Sequence, residues 1–148
     1  MATLFMLCGL PCSGKSTLAR EIEAEQGALR LLPDEWIVRL GLDPRDQGRR
    51  SEIERIQVEI AARVLAKGCD VILEAGFWHR YERQEGRDIA KAAGGAAKLI
   101  FLDVPLEELQ RRARVRNAAL PPNTFPVEEG ELEAWLAEFE RPTVDELG

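Results

Sequence analysis

The chain has a single histidine, His79, and three cysteines, Cys8, Cys12 and Cys69, among 148 residues. One imidazole leaves a histidine-based zinc cluster and a Ser-His-Asp triad short of parts, though counting alone does not exclude His79 from catalysis. The odd cysteine set has no paired metal-type spacing and points to a reduced, cytoplasmic setting. No apolar run approaches the ~20 residues that span a bilayer, and Met1 to Cys8 lacks the charged start of a secretory signal. A soluble protein without membrane contact is therefore expected. Positive charge is also short. Twenty Lys and Arg stand against 26 Asp and Glu, a formal net charge of −6. That balance disfavours a surface built to coat nucleic acid or anionic membrane, but it is compatible with a small basic pocket. Internal repeats and low-complexity linkers are absent too. With 45% apolar residues the chain can bury one proper core, so a single domain over residues 1–148 is expected.

What is present alternates short apolar runs with amphipathic segments. Thr3 to Cys8 reads as a strand buried on both faces, and Lys15 to Gln26 as a helix stopped by Gly27. Ala28 to Leu32 gives a second strand, after which Asp34 is placed to cap a short helix closed by Gly41. Asp43 to Arg50 reads as a polar loop. Ser51 and Glu54 have capping-box spacing, and Ile53, Ile56, Ile60 and Val64 follow with helical period. Val71-Ile72-Leu73 is the third strand and Arg80 to Ala93 the next helix. Lys98 to Asp103 is the fourth strand, and Pro105 suits the first position of a helix reaching about Asn117. Leu132, Trp135, Leu136 and Phe139 mark one face of a last helix. Four strand–helix alternations predict an α/β fold, a parallel sheet with helices on both faces and ligands at the carboxyl ends of its strands.

Gly9-Leu10-Pro11-Cys12-Ser13-Gly14-Lys15-Ser16 fits G-x-x-x-x-G-K-[ST] at every fixed position, between a strand and a helix as the motif requires. Glycines let successive N–H groups wrap an anion, and the helix that follows adds its positive end. The pattern predicts binding of ATP or GTP. Lys15 is expected on the β- and γ-phosphates, the Ser16 hydroxyl on Mg²⁺, and Thr17 beside the α-phosphate.

Other residues of the right chemistry fall at the same edge of the predicted sheet. Asp34, after the second strand, is a candidate base for a substrate hydroxyl, with a helix cap as the alternative. Glu74 closes an apolar strand in the manner of a Walker B acid, toward Mg²⁺, water or substrate. Arg111, Arg112, Arg114 and Arg116 share a helix, and Arg112 and Arg116 share a face at i, i+4. That pair is suited to adenine and to the charge of a moving phosphoryl group; a solvated basic face is the alternative. Arg80 and Arg83 follow the aromatic Phe77-Trp78 at a strand-to-helix crossing and are candidate substrate contacts. Trp36 either lines the same pocket or packs beneath Asp34.

Taken in order, Gly9 to Thr17, Pro33-Asp34-Glu35, Val71 to Glu74, Leu102 to Pro105 and Glu108 to Asn117 resemble the small P-loop kinase-like AAA-family ATPases. That group is similar to the P-loop domain of polynucleotide kinase, to chloramphenicol phosphotransferase and to zeta toxins. The resemblance covers nearly the whole chain, and its phosphate loop is the specific part. It implies a P-loop NTPase fold of three layers, α/β/α, with strand order 2-3-1-4 and a helical lid near residues 105–126. It also implies ATP as donor, a hydroxyl as acceptor and Asp34 as base. Two departures stand out. Several relatives carry an arginine three residues after the base, where this chain has Ile37, so that Arg80 or Arg83 would have to substitute. Many also have a fifth strand, which the tail around Pro142-Thr143-Val144-Asp145 does not supply.

The leading expectation is an ATP- and Mg²⁺-dependent kinase acting on a hydroxyl of a small molecule. Lys15, Asp34, Arg112 and Arg116 are its catalytic residues, and Gly9 to Thr17 with Arg112 hold the nucleotide. Asp34, Glu74, Arg80 and Arg83 face substrate, while Ser16 and Glu74 face metal. Two alternatives stay open: a polynucleotide 5′-hydroxyl kinase, against which the acidity argues, and a regulatory ATPase acting through a protein partner. A GTPase switch is disfavoured because no N-K-x-D motif is present.

Overall fold

The computed structural model describes residues 1–147; Gly148, included in the expected domain, lies outside the described residues. β1 (Thr3–Cys8) leads into α1 (Lys15–Gln26), and β2 (Leu29–Leu31) into α2 (Pro33–Arg39) and α3 (Gln47–Ala66). β3 (Val71–Gly76) precedes α4 (Arg80–Ala92); β4 (Ala96–Phe101) precedes α5 (Leu106–Ala118), α6 (Glu131–Glu138) and α7 (Val144–Leu147). The four strands form one parallel sheet in the order β2-β3-β1-β4, as the resemblance implied. Leu4 of β1 pairs with Val71 on one side and Ala97 on the other.

Apolar residues on both faces of a strand are explained by cover on both faces of the sheet. Phe5, Leu7 and Ile72 pack on Ala19 and Ile22 of α1. Their strand neighbours Leu4, Met6 and Leu73 point the other way, onto Ala61 and Leu65 of α3 and Ala90 of α4. Each such leucine or isoleucine stabilises the fold by about 1.5–3 kcal/mol through burial. α4 comes close enough to β1 that a Cβ at Gly86 would run into Met6 Sδ. A third cluster lies at the carboxyl edge of the sheet, where Leu10 meets Leu109 and Ala113 of α5, Val127 of the loop that follows and Leu132 of α6. It ties the phosphate loop to the segment expected as a lid.

Several boundaries differ from expectation for identifiable reasons. α3 begins at Gln47, capped by Asp46, whose side chain accepts from Arg49 N at 3.1 Å. The expected cap at Ser51 is therefore mid-helix, and residues 47–50 of the expected polar loop belong to α3. Asp34 is not a cap either: Leu32 holds that position, Pro33 opens α2 and Asp34 sits in its first turn. β3 runs on to Gly76, so Glu74 lies within the strand, while β4 stops at Phe101 and leaves Asp103 outside. Pro105 caps α5 from outside. Leu136, expected on the buried face of α6, is exposed. Beside β4, where a fifth strand was missing, lies α7, and Phe139 stacks on Phe101 with centroids 5.6 Å apart. Among the described residues no helix is long and apolar enough to cross a membrane.

Candidate active site

The phosphate loop leaves β1 at Gly9, whose N–H donates to Gly76 O of β3 at 3.0 Å. Cys12 and Gly14 both take left-handed backbone, with φ of 72° and 100°. For Cys12 that conformation costs about 1–3 kcal/mol, strain of the kind found at ligand clamps. Ser13 is buried, and its Oγ has no hydrogen-bond partner, an orphan donor that a phosphate oxygen would satisfy. The residues thus fit a phosphate chain. Lys15 Nζ donates to Gly9 O at 3.0 Å and Leu10 O at 2.9 Å, which draws its charge into the loop. Burial pushes the Lys15 amine down to about 8, while the carboxylates of Asp34 and Glu74 pull it back up. Thr17 is exposed on the first turn of α1.

From α5, Arg112 Nη1 donates to Cys12 O at 3.2 Å, and Arg116 Nη2 to Phe125 O at 3.3 Å. Arg116 Nε is buried without a partner. Burial raises the Cys12 thiol pKa, and Arg116, Lys15 and Arg112 oppose that shift, so three cations surround the loop as expected.

Glu74 is buried within β3, its carboxylate split between two partners. Oε1 accepts from Ser16 Oγ at 2.9 Å, and Oε2 pairs with Arg30 Nε of β2. A hydroxyl beside a carboxylate is a donor set for a hard cation that keeps its waters and leans on substrate phosphates, which describes Mg²⁺. Among the described residues no group of three or more His, Cys, Asp or Glu is arranged to hold a metal by itself.

Asp34 lies across the carboxyl edge from the loop. Its Oδ1 accepts from Arg50 Nη2 of α3 at 2.7 Å, and Arg50 also stands 3.9 Å from Glu54. The guanidinium lies 5.8 Å from the Phe125 ring centre, and Arg45 lies 5.5 Å from the same ring. Arg45 further donates to Pro126 O at 2.9 Å and pairs with Glu131 at 2.6 Å, fastening the loop after α5 to the start of α3. Next to this network a cavity of about 170 Å³ opens between α3 and α4, lined by Ser51, Glu54, Val58, Phe77, Tyr81 and Glu82 among others. Burial raises Glu54 to about 7, against the pull of Arg50, and raises Glu82 as well.

Arg80 and Arg83 do not join this group, which corrects the substrate-facing role expected for them. Arg83 is buried; its Nε meets Glu146 at 2.7 Å, and its Nη1 donates to Phe77 O at 2.8 Å and Glu140 O at 2.9 Å. Arg80 binds Thr143, Asp145 and Glu146. Both serve the tail. The arginine beside the candidate base is Arg50, from α3.

The structure thus brings Lys15, Ser16, Glu74, Arg112 and Arg116 around one loop and sets Asp34 opposite, a layout suited to moving a phosphoryl group onto an acceptor held near Asp34. Sequence reasoning missed Arg30 and Arg50, and it placed Trp78 at the strand-to-helix crossing without its contact to the phosphate loop, where Nε1 donates to Gly9 O at 3.2 Å. Arg30 carried a signal: a charge between two leucines in Leu29-Arg30-Leu31 falls on the face of the sheet that Ile72 and Glu74 share. Arg50 carried none.

A family described as AAA domain matches residues 4–142. Over 116 residues the chain is 34% identical to the adenylyl-sulfate kinase of Saccharomyces bayanus, a stretch covering 72% of this chain and 55% of that protein. The chain therefore spans about half the length of the curated relatives it matches. Its fold is similar to that of a sugar kinase from Janibacter sp. HTCC2649, at 21% identity and TM-score 0.70, covering 99% of this chain and 82% of that one. It is also similar to the APS kinase CysC of Mycobacterium tuberculosis, solved with AMPPNP and APS, at 22% identity and TM-score 0.63, covering 95% and 83%.

Proposed function

This chain belongs to the P-loop kinase-like AAA-domain family, and from that premise we propose that it transfers the γ-phosphoryl group of ATP to a hydroxyl of a small molecule. Residues 1–148 act as one domain, and the segment near residues 105–126 as its lid. The observation that carries the reading is Asp34: a carboxylate from a separate strand end, held by Arg50 across from Lys15 and the loop.

In this reading the loop amides, Ser13 and Lys15 bind the phosphates, while Arg112 and Arg116 close on them from α5. Ser16 and Glu74 would hold Mg²⁺, which would supply neutralisation of phosphate charge. The acceptor lies in the cavity between α3 and α4 with its hydroxyl at Asp34. Asp34 takes the hydroxyl proton as the oxygen attacks the γ-phosphorus; the bond to the bridging oxygen breaks and ADP leaves. Lys15, Arg112 and Arg116 meet the negative charge spread over the transferring group. Arg50 fixes one carboxylate oxygen, leaving the other for the substrate.

The test is ADP release from Mg-ATP with a panel of hydroxyl compounds: sugars, nucleosides, adenylyl sulfate, antibiotics and 5′-hydroxyl oligonucleotides, with Lys15→Ala as control. Stimulation by one class, lost in Lys15→Ala, supports a kinase and identifies its acceptor. A slow rate indifferent to every compound sinks the kinase reading in favour of a regulatory ATPase.

A further inference from the structure

Glu146 ends a chain of contacts that leads to the phosphate loop. Its side chain is 1% exposed and accepts from three arginines of α4: Arg83 at 2.7 Å, Arg80 at 3.2 Å and Arg87 at 3.3 Å. Arg83 above all holds this carboxyl down at about 2. Arg83 in turn donates to Phe77 O and Glu140 O, and Glu140 N donates to Trp78 O at 2.8 Å. The Phe77-Trp78 backbone is thereby gripped from both sides. Phe77 needs the grip, since its φ of 52° is a conformation bulky residues rarely hold unaided.

Trp78 makes the final contact. Its indole N–H donates to Gly9 O, the carbonyl that also accepts from Lys15. The approach is close: a Cβ at Gly76 would stand 2.8 Å from Trp78 Nε1, and Gly76 has φ of 84°. Because a peptide unit is planar, fixing Gly9 O also fixes the direction of Leu10 N–H, one of the loop's own donors. Lys15 must share its three donors with phosphate once nucleotide binds, whereas Trp78 can stay on the carbonyl throughout.

We propose that Phe139–Leu147 is a strap that acts through Arg83 and Trp78 to set the shape of the phosphate loop, making Glu146 and Trp78 positioning residues for nucleotide binding. The inference rests on reading Gly9 to Thr17 as the nucleotide's seat.

The experiment is calorimetric titration of the full chain with Mg-ADP and Mg-ATP, each variant first shown to be folded by circular dichroism. Trp78→Phe keeps a ring but loses the N–H donor, and should weaken binding about three- to tenfold. Glu146→Gln should weaken it by a similar factor, with Glu146→Asp recovering part of the loss. The double variant should bind no worse than the weaker single, because both changes break one route. Wild-type affinity in Trp78→Phe overturns the strap, and so do losses that multiply in the double variant. Trp78→Phe leaves the buried ion pair alone, so it tests the last contact even if Glu146→Gln does not fold. Wild-type protein that binds neither nucleotide would instead overturn the reading of the seat itself.

Discussion

The two halves of the site are built in opposite ways. In the proposed function the donor half is nearly continuous in sequence: eight residues from Gly9 to Ser16 would hold the phosphates, and their chemistry would reside largely in backbone amides. The acceptor half is assembled from β2's end, α3, α4 and the loop after α5, and its chemistry resides in side chains such as Asp34, Arg50 and Glu54. A backbone cradle is specified by glycines and strand–helix placement, so it is rigid and readable. A side-chain pocket is specified by which charges meet in space, so single substitutions can alter it without disturbing the fold.

Separating the halves by mutation sharpens the contrast. The largest effect is expected for Asp34→Asn, which should lower turnover about 10²–10⁴-fold while Mg-ATP affinity stays at the wild-type value. Steady-state rates beside calorimetric binding would check this, and intact turnover would remove Asp34 as the base. Arg50→Gln should cost less, about tenfold in turnover, with the Michaelis constant for ATP unmoved. A change in the ATP constant instead would join Arg50 to the donor half and break the comparison.

The donor half should respond to pH on the alkaline side of neutrality. Lys15 titrates near 8 in the free protein, and phosphate favours its charged form. Above pH 8 binding must therefore take up a proton, and affinity should fall by up to about tenfold per pH unit. Titrations in buffers of different ionisation enthalpy would count that proton. The smallest effect is expected at His79, whose ring lies 2.9 Å from Glu140 and 3.3 Å from Glu138. Glu140 first, then Glu138, raise its pKa, so its contribution to stability is present below about pH 6.5 and fades as pH rises through the raised value. His79→Gln should flatten this decline, worth less than about 1 kcal/mol, in melting curves taken from pH 6 to 8.

The same contrast explains what the sequence revealed. The four strands, their order by resemblance, the phosphate loop and the glycine stop at Gly27 were legible because apolar runs and glycines act locally. The start of α3 was not, because Asp46 is one cap candidate in a polar stretch that includes Ser51, and only packing decides between them. Arg80 and Arg83 read as substrate contacts because they sit beside the site in sequence. Their partner, Glu146, lies more than sixty residues on, and an ion pair has no period to announce it. Arg50 was overlooked for the converse reason: the carboxylate it serves is sixteen positions away, on another helix.

The central place of β1 also governs when the site can exist during synthesis. β1 is translated before its two neighbours in the sheet, β3 and β4, which begin at Val71 and Ala96. Until both have emerged from the ribosome, Thr3 to Cys8 has no edge to pair with, and the loop hung from its end has no fixed geometry. Such distant pairing is slow to form and leaves an apolar strand waiting. For this chain, the phosphate loop takes its shape late in folding, although its residues are made well before the strands that fix it.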